Sequence, residues 1–337
     1  MSNHILVTGG AGYIGSVTVW ELIRSGYRVL VLDNLSRGHR QALPEAATFV
    51  EGDIGDVSLV EGLLQTYRVT GVIHFAAFSL VGESVEHPGL YFENNLMKGI
   101  SFIGTCVKGG VKTFVLSSTA AVYGDPQKIP IPETHPLAPR NPYGFSKLGL
   151  EQGLESYRQT HGLKVAFLRY FNAAGAGIDG NIGEDHAPET HLVPLLFSVA
   201  LGKRDRVYVF GGDYDTPDGT AIRDYIHVAD LARAHIAVLE GMERGLKHTA
   251  YNLGLGRGYS VLEVLKTARE VCGRNIPYEM AGRRAGDPPV LVADNRRFLE
   301  EFDWRPEFGD LRAILASAWQ WHRSHPDGYG RESHERA

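Results

Sequence analysis

A phenol and an ammonium stand four residues apart in the run Tyr143-Gly144-Phe145-Ser146-Lys147. That spacing puts Tyr143 and Lys147 on one face of a helix beginning after Asn141-Pro142. A free phenol titrates at about 10, so a neighbouring cation that favours the phenolate is what would let Tyr143 act as a base near neutrality. A second run, Ser117-Ser118-Thr119-Ala120-Ala121-Val122-Tyr123-Gly124, closes an apolar segment and places the Thr119 hydroxyl where it can bond the same substrate oxygen. Ser and Thr at a strand exit also cap turns, and a single Tyr-x-x-x-Lys occurs on ordinary helix surfaces. It is the coincidence of the two runs that points to a proton-transfer centre.

Near the start, Gly9, Gly12 and Gly15 space the run Gly9-Gly10-Ala11-Gly12-Tyr13-Ile14-Gly15 directly after an apolar strand. Glycines there allow a tight turn and close approach to a pyrophosphate, and the helix that follows offers unpaired N–H groups and partial positive charge. Asp33 ends the next strand, where a carboxylate accepts hydrogen bonds from a ribose diol and repels a 2′-phosphate, which favours NAD over NADP. Asp53, in Gly52-Asp53-Ile54 after the third strand, is placed to meet an adenine amino group, although an Asp in such a turn needs no ligand.

These motifs need a scaffold, and the first half of the chain carries its pattern. Short β-branched runs at residues 5–8, 29–32, 48–50, 72–75, 114–117 and 165–169 alternate with helical patterns, which predicts a doubly wound parallel α/β sheet of the Rossmann type. Apolar runs such as Val29-Leu30-Val31-Leu32 suit strands buried on both faces. After Asn172 the texture becomes Gly- and Asp-rich, and residues 173–185 and 211–219 read as loops outside the core, part of a smaller C-terminal α/β substrate domain. The expected division is 1–173 for the dinucleotide and 174–337 mainly for substrate, with roughly 224–253 packing back onto the first part. The end from His325 reads as frayed.

Composition narrows the classes further. With 43% hydrophobic and 22% charged residues in 337, the chain can bury a sizeable core, so general disorder is excluded. A net charge of −5 offers no basic footprint for nucleic acid or an anionic membrane. Cys106 and Cys272 make neither a disulfide framework nor a metal cluster; both read as buried small hydrophobes, no metal is expected, and a reducing, cytoplasmic location follows. No signal peptide or transmembrane run is expected.

Over essentially its whole length the chain resembles the extended short-chain dehydrogenase/reductases, and among them the epimerases of UDP-linked hexoses. The resemblance is carried by the runs above together with Val72-Ile73-His74-Phe75-Ala76-Ala77, Val81-Gly82-Glu83-Ser84, Arg169-Tyr170-Phe171-Asn172, Ile222-Arg223-Asp224-Tyr225-Ile226-His227-Val228 and Tyr251-Asn252-Leu253-Gly254. It implies that Tyr143 takes the proton of the sugar 4-hydroxyl beside Thr119. Lys147 would hold the nicotinamide ribose and lower the phenol. On the cofactor side it adds Tyr13, Ile14, Asn34 and Ile54, then Phe75, Ala76, Ala77, Asn94, Ser117 and Tyr170. Around the UDP-sugar it places Asn172, Arg223, Arg284 and Asp287, with His191, Leu192 and Tyr225 on the same side. Guanidinium groups suit a diphosphate because they donate paired hydrogen bonds, although Arg283 beside Arg284 leaves the register there open.

Three positions depart from the pattern or tune it. Ser79 replaces a lysine that some members carry near the cofactor, and His191 replaces an asparagine near the diphosphate. Leu291 lines the sugar pocket, where a bulky tyrosine excludes N-acetylated sugars and a small residue admits them; leucine is intermediate. The resemblance also implies a homodimer through helices near 92–108 and 147–159, whose apolar faces would equally pack within one subunit.

Competing classes separate on particular residues. A sugar-nucleotide dehydratase needs an acid and a base beside the catalytic threonine, where this chain has Ala120 and Ala121, which transfer no proton. A keto-sugar reductase would consume free NAD(P)H stoichiometrically, and an idle NAD-sensing scaffold would be expected to lack Tyr143 or Lys147.

Overall fold

The computed structural model describes residues 3–177, 179–284 and 286–330. Its strands are β1 (Asn3–Thr8), β2 (Arg28–Asp33), β3 (Thr48–Glu51), β4 (Arg68–His74), β5 (Thr113–Thr119), β6 (Lys164–Tyr170), β7 (Asn172–Ala174), β8 (Val207–Phe210), β9 (Ile222–His227), β10 (Ala250–Leu253), β11 (Gly258–Ser260), β12 (Tyr278–Ala281) and β13 (Val290–Leu291). Its α-helices are α1 (Tyr13–Arg24), α2 (Val57–Thr66), α3 (Val81–Glu86), α4 (Pro88–Tyr91), α5 (Lys98–Lys108), α6 (Pro142–His161), α7 (Leu192–Ala200), α8 (Val228–Arg244), α9 (Val261–Cys272), α10 (Arg296–Phe302) and α11 (Leu311–Ser324).

Seven parallel strands form the main sheet in the order β10-β6-β5-β4-β1-β2-β3. The reason these strands read as unbroken apolar runs lies in their two-residue period. Ile5, Val7, Val29, Val31, Ile73, Val115 and Leu168 face one core, shared with Val19 and Leu22 of α1 and Leu231 of α8. Leu6, Leu30, Leu32, Val72, Phe114, Leu116 and Phe167 face the other, shared with Val60 of α2, Phe102 of α5 and Leu150 of α6. Each of these fully buried side chains stabilises the sheet by roughly 1.5–3 kcal/mol relative to exposure. All six expected strands are present, each within a few residues of its predicted ends.

The strand order reverses between β1 and β4, the switch point where an open parallel sheet leaves a crevice at the carboxyl ends of its strands. The chain then builds a smaller unit. Strands β11, β9 and β13 lie in that order, with β7 also on β9, and β8 pairs with β12 in a separate two-stranded sheet. A third core joins Phe197 of α7, Leu265 of α9 and Ile314 and Trp319 of α11. From β9 the chain returns to the main sheet: α8 packs on α1, and β10 runs parallel to β6 with Tyr251 opposite Leu168.

Three expectations are corrected. Of the expected loop 173–185, Ala173 and Ala174 instead end a short strand, because their backbone pairs in parallel with Ile226 and His227 of β9. The end is not frayed from His325: its ring stacks on Trp321 at 4.0 Å, and the Tyr329 hydroxyl exchanges hydrogen bonds with both backbone groups of Gly183. Residues 331–337 lie outside the described ones. Cys106 is buried, but Cys272, at the end of α9, is only partly so. Among the described residues no helix is long and apolar enough to cross a membrane.

Candidate active site

The glycine turn sits at the switch point, and its geometry shows why no side chain is tolerated at two positions. Gly9 has φ +68°, and a Cβ there would lie 2.5 Å from the backbone nitrogen of Ala76, so the turns after β1 and β4 abut. A Cβ on Gly15 would lie 2.1 Å from the Gly9 carbonyl, which closes the turn onto α1. Gly12 is different. Its only neighbour within 4 Å would be the Gly9 carbonyl at 3.3 Å, so a side chain there would fill the open space before the N-terminus of α1. That space, faced by the N–H groups of the first helical turn, fits a pyrophosphate.

Asp33 accepts the Ala11 N–H at 2.9 Å and the Leu35 N–H at 2.8 Å. Burial raises its carboxyl above the usual range, against the pull of those two donors and of His39. Asn34 donates to Asp53 at 3.0 Å, as does Lys98. Burial opposes ionisation of Asp53, but the Gly55 N–H, Lys98 and Asn34 outweigh it and hold the carboxyl low. Ile54 is buried in the α2/α5 core, and the partly buried Ile14 side chain packs against the core beneath α1. Tyr13 commits its hydroxyl to the Gly175 carbonyl at 2.7 Å.

Beyond β4 the backbone N–H groups of Phe75 and Ala76 both reach the Thr8 carbonyl, and Ala77 continues that turn half-buried. A π-helical turn over Phe92–Met97 follows α4, and such turns often mark functional sites. It aims Asn95, which is fully buried, across to the Phe78 backbone and to Ser146 Oγ, strapping the turn after β4 to α6. Asn94 lies alongside, donating to Asn95 Oδ1 at 3.1 Å.

Tyr143, Lys147 and Thr119 come together at the carboxyl end of β5. Asn141 caps α6 by accepting the Gly144 N–H at 2.9 Å, with Pro142 in the first turn. Gly144 then lets the helix press on the 120–122 turn: a Cβ there would lie 2.7 Å from the Ala121 carbonyl. Thr119 Oγ1 accepts the Ala121 N–H at 3.1 Å, which leaves its own proton to donate. Lys147 is 2% exposed and donates to the Ser117 carbonyl at 2.9 Å, while Ser117 Oγ meets the Tyr170 hydroxyl at 2.5 Å.

The titration of this group departs from expectation. Burial pushes the Tyr143 phenol up to about 12 despite a hydrogen bond from Thr119, and burial pushes the Lys147 ammonium down to about 7. Lys147 is turned to the Ser117 carbonyl, and burial outweighs the Thr119 hydrogen bond on the phenol; positive charge brought beside it would lower it.

On the opposite side, Asn172 donates to the Asp224 carbonyl at 2.9 Å, and Arg223 pairs with Asp287 at 2.5 Å, so three of the expected substrate residues converge on β9. Leu291, opposite Arg223 in β13, packs with Ala120, Val122 and Tyr123 just past Thr119. Arg283 is taken by Asp213 and lies over Tyr214, whereas the exposed Arg284 guanidinium lies 4.2 Å over the Phe210 ring. Tyr225 is not at the surface: only 5% exposed, it packs in the third core from β9, beside Asn172 of β7. Leu192 opens α7 against the same core, and His191 before it is engaged with Glu184 at 2.5 Å.

Sequence reasoning missed the buried supports. Glu151, one turn after Lys147, holds Arg169 through two hydrogen bonds and accepts Ser118 Oγ at 2.5 Å. Arg169 reaches Tyr123, whose hydroxyl continues to Asn252 at 2.6 Å, so β5, β6, β10 and α6 are tied beneath the centre. Asp224 accepts three backbone N–H groups, from Leu255, Gly256 and Ala293. The signal for these was a charge inside an apolar run.

A dinucleotide turn at the switch point and a Tyr/Lys pair beside a strand-end threonine define the short-chain dehydrogenase/reductase class. More narrowly, the chain belongs to the NAD dependent epimerase/dehydratase family, whose model matches residues 5–254. It is 48% identical over 326 residues to a UDP-glucose 4-epimerase of Lacticaseibacillus casei, covering 97% of this chain and 98% of that one. A UDP-glucose 4-epimerase of Corynebacterium glutamicum is 49% identical over 315 residues, 94% of each chain. Among solved structures, a UDP-glucose 4-epimerase superposes with TM-score 0.95 at 44% identity over 98% of this chain and all of that one. Another, from Brucella ovis in complex with NAD, gives TM-score 0.91 at 45% identity over 94% and 98%.

Proposed function

We propose that this protein interconverts UDP-glucose and UDP-galactose by inverting C4 of the hexose. The observation that carries this reading is the meeting of Tyr143, Thr119 and Lys147 at the end of β5, with Ala120 and Ala121 where a dehydratase would need an acid and a base. Bound NAD supplies a reversible two-electron acceptor for the C4–H bond. Gly9, Gly12, Gly15 and Asp33 would hold its adenosine diphosphate half, and Lys147, Ser117 and Tyr170 would border its nicotinamide half.

The residues of the chain then do the proton chemistry. Tyr143 removes the 4-hydroxyl proton as the 4-keto sugar forms and returns it after the sugar turns over. Thr119 donates to the same oxygen and orients it. Arg223, Asn172 and Arg284 would hold the diphosphate, so that the sugar swings while its anchor stays fixed. Leu291 borders the sugar, and its intermediate bulk favours a second reading in which N-acetylated hexoses are also turned over.

Residues 1–173 would serve the cofactor with help from 224–253, and 174–337 mainly the UDP-sugar. Two copies would pair through α5 and α6, a reading supported by exposed Val85, Leu90, Met97 and Phe145 on and beside those helices. Two unpaired cysteines suit the cytoplasm. UDP-galactose deuterated at C4 tests the mechanism. The product UDP-glucose should keep the label at C4; label lost to water or to a pool of added NAD would exclude it.

A further inference from the structure

The segment leading into α7 folds four side chains onto one point. Glu184, His186, Glu189 and His191 each turn a donor atom inward, and these atoms lie within 4.8 Å of one another. His186 Nδ1 is 3.3 Å from Glu184 Oε1 and 3.7 Å from Glu189 Oε2, and His191 Nδ1 is 3.7 Å from Glu189 Oε1. A zinc ion bound by imidazole nitrogen and carboxylate oxygen at about 2.0–2.2 Å in a tetrahedron spaces its donors roughly 3.3–3.6 Å apart. The edge between His191 Nδ1 and Glu184 Oε1, at 2.5 Å, is that of a shared proton. A cation displacing that proton would open it by roughly 1 Å.

A second observation points the same way. His186 Nδ1 is shielded from solvent and makes no hydrogen bond of good geometry, standing 3.3 Å from Glu184 Oε1 and 3.7 Å from Glu189 Oε2. A buried imidazole nitrogen held so loosely is under-satisfied, and a metal drawn in among the same carboxylates would satisfy it. Two carboxylates with two neutral imidazoles also carry the charge that a divalent cation cancels. The cluster is closed on one side by Glu184, whose side chain is 4% exposed, and open at His191, 47% exposed, which gives an ion a way in.

We propose that Glu184, His186, Glu189 and His191 bind a divalent transition metal of the zinc type, as a structural site that pins the 183–191 segment. The sequence reading expected no metal because it looked to cysteines; the spacing Glu-x-His-x-x-Glu-x-His was the available signal. The segment is a crossroads. The Glu184 carbonyl accepts Trp321 Nε1 at 3.1 Å, the Asp185 carbonyl meets His39 Nε2 at 3.0 Å, and the Ala187 carbonyl accepts Arg37 at 3.0 Å. A metal here ties the loop that follows Asp33 to α11 and to the start of α7, and so positions His191 and Leu192.

The test uses the full-length protein, dialysed against chelator and then loaded with zinc or cobalt(II). About one zinc per chain should survive gel filtration, cobalt should give the intense visible bands of a tetrahedral site, and EDTA should lower the melting temperature. His186→Gln and Glu189→Gln should lose the zinc and the bands while keeping their bound NAD. No retained zinc, weak octahedral cobalt bands, or full zinc retention in His186→Gln would overturn the proposal and leave the cluster as an ion-pair network.

Discussion

Tyr143 faces a problem that its surroundings only half solve. With the phenol pushed up to about 12 and Lys147 down to about 7, burial favours a protonated Tyr143 at neutrality. A positive nicotinamide ring next to the phenol would favour the phenolate, and whatever charge Lys147 retains adds to it. Tyr143→Phe should therefore lower kcat by about 100- to 10,000-fold with UDP-sugar affinity kept, which kinetics and calorimetry on one sample would show. Lys147→Met should move the acidic limb of the rate profile to higher pH, since losing a cation raises the phenol further; an unmoved limb would detach Lys147 from the titration. Their place on one helix face was legible from the spacing, and their pairing with Thr119 from the coincidence with the run 117–124. The raised phenol was not, because burial depends on what α6 packs against.

At the scale of elements, the centre depends on how closely α6 approaches the 120–122 turn. Gly144 permits that approach, and an added methyl would meet the Ala121 carbonyl at 2.7 Å and Pro139 Cβ at 2.9 Å. Gly144→Ala should push Tyr143 from Thr119 and cost about 100-fold in kcat, as a displacement on the order of 1 Å does. NAD content should stay at the wild-type level, and wild-type kcat would show the contact to be relaxed. The strands of the main sheet were readable because their apolar runs serve two cores at once. β7 was not, since Asn172-Ala173-Ala174 is too short and too weakly apolar to declare itself without β9 beside it. The π-helical turn before α5 was hidden for a similar reason: Asn94-Asn95 signals polarity, and only the turn after β4 explains where Asn95 points.

At the scale of the molecule, burial holds His74, His227 and His235 in the neutral state and lowers His322 as well. Burial, with Lys147 nearby, pushes His74 down to about 3; burial, with Arg233 nearby, does the same to His227; burial outweighs the Leu231 carbonyl to leave His235 at about 4. An unfolded histidine titrates at about 6.5, so between these values the unfolded chain binds more protons. Their contribution is complete above about pH 6.5 and is lost as pH falls, by roughly 1.4 kcal/mol per pH unit for each. Denaturant unfolding at pH 7.5, 6.5 and 5.5 should show that decline, and His235→Gln should flatten it; an unchanged slope would mean the ring is already charged in the fold. The chain returns from the smaller unit to the main sheet through α8, which packs on α1, and β10, which pairs with β6. The measurement that bears most directly on the account is incubation of the purified protein with UDP-galactose and no added cofactor. Formation of UDP-glucose, with about one NAD per chain released on denaturation, is the expected result. Absence of UDP-glucose from protein that does release NAD would contradict it.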